Sequence, residues 1–75
     1  MVSKETTRTR LLRINEVTEV IGVSRTTIHR MVTKDLFPKS VPLIPGGIAR
    51  AWVEAEVESW LDQRVADRDM EAVNE

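Results

Sequence analysis

Apolar residues recur at helical spacing near the start of the chain, where Val17, Val20 and Ile21 lie three and four positions apart. This spacing places them on one face of a helix. Asn15 belongs to a residue type that often caps a helix start, and Gly22 to one that often follows a helix end. The pattern therefore predicts a first helix between these two residues.

A second helix is predicted directly afterwards. Ser24 is a favourable cap, and the same apolar spacing returns in Ile28, Met31 and Val32 before it fades at Lys34. Only three residues connect the two helices, which is too few for comfortable antiparallel packing. The helices are therefore expected to cross steeply, as in a helix-turn-helix.

The middle of the chain is not expected to be helical, because residues 36–52 contain all three prolines and two adjacent glycines. The apolar runs 41–44 and 48–52 flank Pro45-Gly46-Gly47, and this order predicts a β-hairpin. A third helix follows from residue 53 to about residue 64. Its apolar stripe consists of Val53, Val57, Trp60 and Leu61.

These elements make residues 11–64 one domain, mainly α with a small β-hairpin. The apolar run 11–14 fits either a brief strand or a lead-in to the first helix. Residues 1–10 are polar and unpatterned, and we expect a flexible basic arm that carries Lys4, Arg8 and Arg10. Residues 65–75 are also polar and are expected to form a frayed tail.

The second helix turns a polar face outward when its apolar residues face the core. This face has no acidic residue and consists of Arg25, Thr26, Thr27, His29, Arg30, Thr33 and Lys34. Arginine suits O6 and N7 of guanine, and threonine can bond base edges or contact a thymine methyl group. Ser24 and the first backbone amides suit a phosphate. The alternative is an ordinary solvated helix in a three-helix domain.

The hairpin is a second candidate for contact with nucleic acid. Its tip, Gly46-Gly47, is flanked by Lys39 and Arg50 and could reach a phosphate or a minor groove as a wing. The alternative is a strand pair that only seals the core. We expect the two tryptophans to lie in the core rather than to stack on bases.

Charge is distributed unevenly along the chain. Residues 1–50 hold nine Lys/Arg and four Asp/Glu, whereas residues 51–75 hold two and eight. A basic N-terminal part is the electrostatic pattern expected of a protein that binds nucleic acid. Two solvated faces of opposite sign are the alternative interpretation.

Size and residue usage argue against several classes of protein. A chain of 75 residues without cysteine has no disulfide framework or thiolate metal site, and no nucleophile–base pair or carboxylate dyad stands out. We therefore expect no enzyme activity, cofactor, metal or small-molecule substrate. No signal-peptide core or membrane span is evident either. The expected location is the cytoplasm of a prokaryote, in association with the nucleoid.

The order of the motifs resembles a known family. Val-x-x-Val-Ile-Gly-Val-Ser-Arg-Thr-Thr-Ile at 17–28 leads to Phe-Pro-Lys at 37–39, a glycine-containing hairpin, and Trp-Val-Glu-Ala-Glu-Val at 52–57 with Trp-Leu at 60–61. Over about residues 11–64 this order resembles the AlpA family of phage and prophage regulators. That family is related to phage excisionases and to the DNA-binding domain of MerR-type regulators.

The resemblance implies a winged helix-turn-helix of three helices plus a wing, which binds double-stranded DNA near attachment sites or promoters. It implies a transcription regulator, an excisionase (recombination directionality factor) acting with an integrase, or both. The recognition helix would be Arg25 to Lys34, with the wing at 44–50. Within the recognition helix, the residues that contact the bases would be Arg25, Thr26, Thr27 and Arg30.

Size also bears on how such a module would bind. One small module buries only about 600–1,000 Å² on DNA, so self-association on tandem sites is expected. The alternative function is a phage or prophage adaptor that binds another protein through its acidic third helix.

Overall fold

The computed structural model describes residues 10–74, which form three helices and three short strands. In chain order these are β1 (Leu11–Leu12), α1 (Ile14–Ile21), α2 (Arg25–Thr33), β2 (Val41–Pro42), β3 (Arg50–Val53) and α3 (Glu54–Asn74). The predicted class is confirmed: the chain is mainly helical, and a small antiparallel sheet accompanies three helices in the arrangement of a winged helix-turn-helix.

The cap of helix α1 is Arg13, two residues before Asn15, the predicted cap. Arg13 occupies the cap position in an extended conformation, and its backbone N–H donates to a carboxylate oxygen of Glu16 at 2.8 Å. Glu16 thus satisfies a backbone donor at the helix start, so no capping side chain is needed at Asn15. The predicted helix end is confirmed, because Gly22 adopts φ 84° and its N–H donates to Thr18 O at 2.8 Å.

Helix α2 starts as predicted, with Ser24 Oγ accepting from the Thr27 N–H at 3.2 Å. Its end is a Schellman motif built around a residue other than glycine. Asp35 adopts φ 60°, and its N–H donates to Val32 O. The N–H of Leu36 reaches back to Met31 O at 2.8 Å. These bonds end α2 at Thr33, five positions before Pro38, the first proline.

The sheet has the order β1-β3-β2, and both pairs are antiparallel. The 11–14 run therefore provides a strand, with Leu12 opposite Trp52, and then the first residue of α1. On the other side of β3, Val41 lies opposite Ala51 and Pro42 opposite Arg50. The strands of the predicted hairpin are shorter than expected, since only these two residue pairs join β2 to β3.

A tight turn forms the tip of the hairpin. Pro45 and Gly46 are its central residues, Gly46 adopts φ 79°, and the Gly47 N–H donates to Ile44 O at 2.8 Å. Proline followed by a left-handed glycine is the pattern of a type II turn. A further bond from Leu43 N–H to Ala49 O continues the ladder toward this turn.

The core lies where α1, α2 and α3 meet the sheet. Val17, Ile28 and Val57, one from each helix, are completely buried. The other buried residues are Leu12, Phe37, Ala51 and Trp52. The predicted apolar face of α1 is wrong at Val20, which is 50% exposed. Val17 and Ile21 do pack against the core, together with Ile14.

The two tryptophans differ in burial. Trp52 is 3% exposed, and its indole N–H donates to Pro38 O at 2.8 Å. Trp60 is half-buried, packs edge to face on Phe37 and donates to Leu36 O at 2.7 Å. Both indoles therefore satisfy their polar atom within the fold, as buried tryptophans normally do. Together they fasten the 36–38 segment to β3 and α3.

Helix α3 departs from the prediction at both ends. Val53 is the last residue of β3, and the helix continues to Asn74 instead of ending near Arg64. The frayed tail predicted for 65–75 is therefore wrong for residues 65–74. This stretch contains no proline or glycine, and half of its residues are strong helix formers, namely Ala66, Arg68, Met70, Glu71 and Ala72. Gln63 and Arg64 add hydrogen bonds to Asp67 within the helix.

Candidate nucleic-acid interface

The outward face of α2 is exposed, polar and free of acidic residues. Among residues 10–74, the Arg30 side chain has no hydrogen-bond or ion-pair partner and lies near the middle of this face. Of the residues predicted to form this face, the exposed ones are Arg25, Thr26, His29, Arg30, Thr33 and Lys34. A helix with such a face can offer donors and positive charge to a polyanion without internal competition from carboxylates.

Two threonines of the predicted set take part in hydrogen bonds within α2. Thr27 is half-buried, and its hydroxyl accepts from Ser24 Oγ at 3.1 Å while its amide donates back to that oxygen. The Thr33 hydroxyl donates to His29 O at 3.0 Å. Thr27 and Ser24 thus fix the start of the helix, and Thr26 is the threonine of this first turn that faces outward.

Arg25 is oriented by the preceding helix. Its guanidinium donates from Nη2 to Asn15 Oδ1 at 2.8 Å, which joins the first turn of α2 to the first turn of α1. The acceptor is a neutral amide, so the bond sets the direction of the guanidinium and leaves its charge uncompensated. The sequence predicted Asn15 as a helix cap. In the structure its side chain instead orients the Arg25 guanidinium.

The wing and α2 share a depression of about 200 Å³. Its wall on the wing side is formed by Ile48, Arg50 and Trp52. Arg50 and Trp52 share one face of β3, and Ile48 lies two residues before that strand. His29 enters from α2 and Arg13 from the start of α1. The structure therefore brings together two predicted site residues, His29 and Arg50, that are far apart in sequence.

Arg50 and Arg13 are held in this depression by neutral acceptors. Arg50 donates from Nε to Ser40 Oγ at 2.7 Å and from Nη2 to Ser40 O at 3.2 Å. Arg13 in turn donates from Nε to Arg50 O at 3.1 Å. No acidic residue lines the depression. With Arg25, these side chains form a set of three guanidiniums whose direction is fixed and whose charge is retained.

Other predicted basic residues do not join this set. Lys39 lies 3.7 Å from an Asp35 carboxylate oxygen and lines a different depression, beside Trp60. Arg10 pairs with Glu54 at 3.1 Å, and Glu54 N–H also donates to Arg10 O. Arg10 was predicted to belong to the flexible basic arm. This prediction is wrong for Arg10, because the carboxylate and the backbone N–H of Glu54, at the start of α3, both bind it. Lys4 and Arg8 lie outside the described residues.

The glycines of the tip, Gly46 and Gly47, are exposed and occupy the turn described above. A side chain at Gly47 would crowd Ile44, whose Cβ would lie 3.2 Å from an added Cβ. These glycines thus allow a narrow tip, and the side chain projecting beyond it is that of Ile48, which is 96% exposed.

A match to a family model shows which protein family the chain belongs to. Residues 10–65 match the model of the prophage CP4-57 regulatory protein family, AlpA. The chain belongs to the AlpA family. The match covers both helices of the helix-turn-helix, the wing and the first half of α3. The resemblance inferred from the motifs is thus confirmed, and the family is one of regulatory proteins.

A relative of this AlpA-family chain is an uncharacterized protein, ORF88, from Enterobacteria phage P4. The two are 42% identical over 62 residues, which amount to 83% of this chain and 68% of the relative. No solved structure matches the chain at a significant level. Among residues 10–74, no helix is long and apolar enough to cross a membrane.

The sequence did not single out four residues of the surface around α2 and the wing: Arg13, Asn15, Ser40 and Ile48. The two-residue spacing of Ile48, Arg50 and Trp52 could have predicted that Ile48 lies on the same side as Arg50 and Trp52. The hydrogen bonds of Asn15 and Ser40 each span ten positions and connect different elements. No local spacing rule predicts such bonds.

Proposed function

We propose that this AlpA-family protein binds double-stranded DNA sequence-specifically, with α2 in the major groove and the wing beside it. The observation that supports this most is the acid-free face of α2 next to three guanidiniums held by neutral acceptors. A major groove admits one helix, and guanidiniums fixed beside that helix suit the flanking phosphates.

The roles of the arginines follow from their surroundings. Arg30, without a protein partner among residues 10–74, is the residue we assign to a base edge, since arginine pairs bidentately with guanine. Arg25 stands at the start of α2, where the first backbone amides of the helix also suit a phosphate. Arg13 and Arg50, on the wing side, are assigned to phosphates of the adjoining backbone.

The biological role proposed is that of a small prophage regulator. It would control transcription, act as an excisionase together with an integrase, or do both, on the DNA of a bacterial cytoplasm. Self-association on tandem sites would add affinity, because one module of this size buries a small area on DNA. Family membership supports the regulatory role, and the face of α2 supports the DNA partner.

The test is Arg30→Ala, measured by fluorescence anisotropy with selected and scrambled duplexes at matched salt. We expect the substitution to weaken binding to the selected site by about 1–3 kcal/mol and to relax the preference at one base pair. Arg68→Ala is the matched control, because Arg68 lies on α3 and is ion-paired with Asp69. Equal losses on both duplexes would instead make Arg30 a phosphate contact.

A second candidate function is that of a protein–protein adaptor. The observation that favours it is the last part of α3, where residues 62–71 are all exposed and continue as a helix beyond the core. Binding to random duplex DNA separates the two candidates. A regulator that contacts phosphates loses affinity as salt rises, with a log–log slope of about −0.9 per phosphate. An adaptor shows no such binding.

A further inference from the structure

The tip of the wing is apolar. Ile48 is 96% exposed, Ile44 60% and Leu43 38%, and residues 40–49 contain no charged side chain. Single exposed apolar residues are common on protein surfaces, but three of them around one turn form a patch. A wing that only neutralised phosphates would present lysine or arginine at this position. The tip is therefore suited to a partner that offers an apolar surface.

The tip is also held rigidly. Pro45 fixes one backbone angle of the turn, Gly46 supplies the left-handed conformation, and Gly47 N–H closes the turn on Ile44 O at 2.8 Å. Little conformational freedom remains to be lost when the tip enters a binding site. Such preorganisation favours binding without any additional contact.

The direction of Ile48 connects the tip with the proposed DNA surface. Ile48 lines the same depression as Arg50, Arg13 and His29. An apolar side chain flanked by two guanidiniums and no carboxylate matches a polyanion whose groove has apolar walls of sugar. DNA offers an anionic backbone and apolar sugar walls in one continuous surface, and we therefore take DNA as the occupant. The acidic α3 of a second copy is the competing occupant, and the tandem-site measurement below tests it.

We propose that Ile48 inserts into the minor groove beside the major groove occupied by α2, and wedges into one base step. This inference rests on the proposed function. Apolar side chains that enter a minor groove partly unstack a step and bend the duplex toward the major groove. Pyrimidine–purine steps such as TA unstack most easily, so Ile48 gives the protein a preference for such a step at a position that α2 does not touch.

The experiment compares wild type, Ile48→Ala and Leu36→Ala on duplexes that carry TA or AA at the position facing the wing. Affinity is measured by anisotropy, and bending by energy transfer between dyes on the two duplex ends. Leu36 is the matched control, because it is a large apolar residue, 58% exposed, that does not line the depression. Since the Ile48 side chain is almost fully exposed, its removal leaves the core intact.

For Ile48→Ala we expect about a tenfold loss of affinity for the TA duplex, a smaller bend, and loss of the TA preference, with an unchanged salt slope. Leu36→Ala should behave as wild type. An unchanged bend and step preference in Ile48→Ala would overturn the wedge while leaving DNA binding intact. Failure of wild type to bind any duplex would overturn the proposed function as well.

A third result would point to another occupant. If Ile48→Ala bound single sites like wild type and lost only its cooperativity on tandem sites, the wing tip would contact a neighbouring copy of the chain, and the wedge would be wrong. Ile48→Lys provides a second check. The wedge predicts that Ile48→Lys loses the bend, because a charged ammonium group does not lie between stacked bases. A bend equal to that of wild type would contradict the wedge.

Discussion

One side of the molecule is formed by α2, the wing and the start of α1, and both this side and α3 carry arginines. The two regions differ in the groups that accept hydrogen bonds from these arginines. On the first side, Arg25, Arg50 and Arg13 donate to an amide, a hydroxyl and backbone carbonyls. On α3, Arg64 pairs with Asp67 and Arg68 with Asp69. Neutral acceptors orient a guanidinium and leave its charge available, whereas carboxylates cancel it. The comparison shows why net charge alone, −1 for the chain, says little about binding.

The largest expected effect concerns Trp60 on α3, whose role should be to stabilise the fold rather than to bind DNA. Trp60→Ala removes the edge-to-face contact with Phe37 and leaves Leu36 O without its indole donor. Because Trp60 is half-buried, we expect the free energy of unfolding to fall by about 2–4 kcal/mol. Chemical denaturation followed by circular dichroism measures this loss.

The DNA affinity of the fraction of Trp60→Ala that remains folded should be close to wild type. A variant that melted at the wild-type midpoint would show that the contacts of Trp60 with Phe37 and Leu36 O do not stabilise the fold. A variant that stayed folded and lost DNA binding would place Trp60 in the interface, against the division of roles between the two sides.

A second prediction changes a neutral acceptor into a charged one. Asn15→Asp keeps an oxygen for Arg25 but adds a carboxylate, as on α3. We expect DNA affinity to fall by about tenfold at low salt, with a slope reduced by about one phosphate contact. Titrations at several salt concentrations measure both quantities.

Asn15→Ala is the control for this change, because it removes the hydrogen bond without adding charge. Its affinity should fall less than that of Asn15→Asp. Equal losses in the two variants would mean that the direction of Arg25, and not its retained charge, determines its contribution.

Local signals in the sequence predicted the parts of the fold that depend on neighbours along the chain. Gly22 and Ser24 mark a helix end and a helix start by their own chemistry, and both were placed correctly. The start of α1 was missed because arginine is not a usual cap residue. The end of α3 was missed because the apolar stripe stops near Leu61 while helix-favouring residues continue.

The candidate site was predictable on α2 and much less so around it. The exposed face of α2 follows from periodicity, so the positions of His29 and Arg30 could be foreseen. The neutral acceptors, in contrast, come from other elements and become neighbours only when the elements pack. Arg50 was assigned by its place near a glycine tip, but its bond with Ser40 depends on the antiparallel pairing of β2 with β3.

The smallest effect is expected at the junction between the two sides. Asp35 adopts φ 60°, a conformation that glycine reaches without steric conflict. Asp35→Gly should raise the free energy of unfolding by about 0.5–1 kcal/mol, since its exposed ion pair with Lys39 contributes little. Thermal melts measure the change. A lower midpoint would show that the aspartate side chain stabilises the end of α2.

The edges of the sheet have a consequence for crowding. Each outer strand is two residues long, and Pro42 has no backbone N–H to offer a further strand. The open hydrogen-bonding groups along both edges are therefore too few to recruit a strand from another molecule. Regulators bound side by side on one DNA reach high local concentrations, at which exposed edges would promote aggregation. Copies bound side by side in the proposed way would therefore influence one another through side chains or through the DNA, and would dissociate as separate folded proteins.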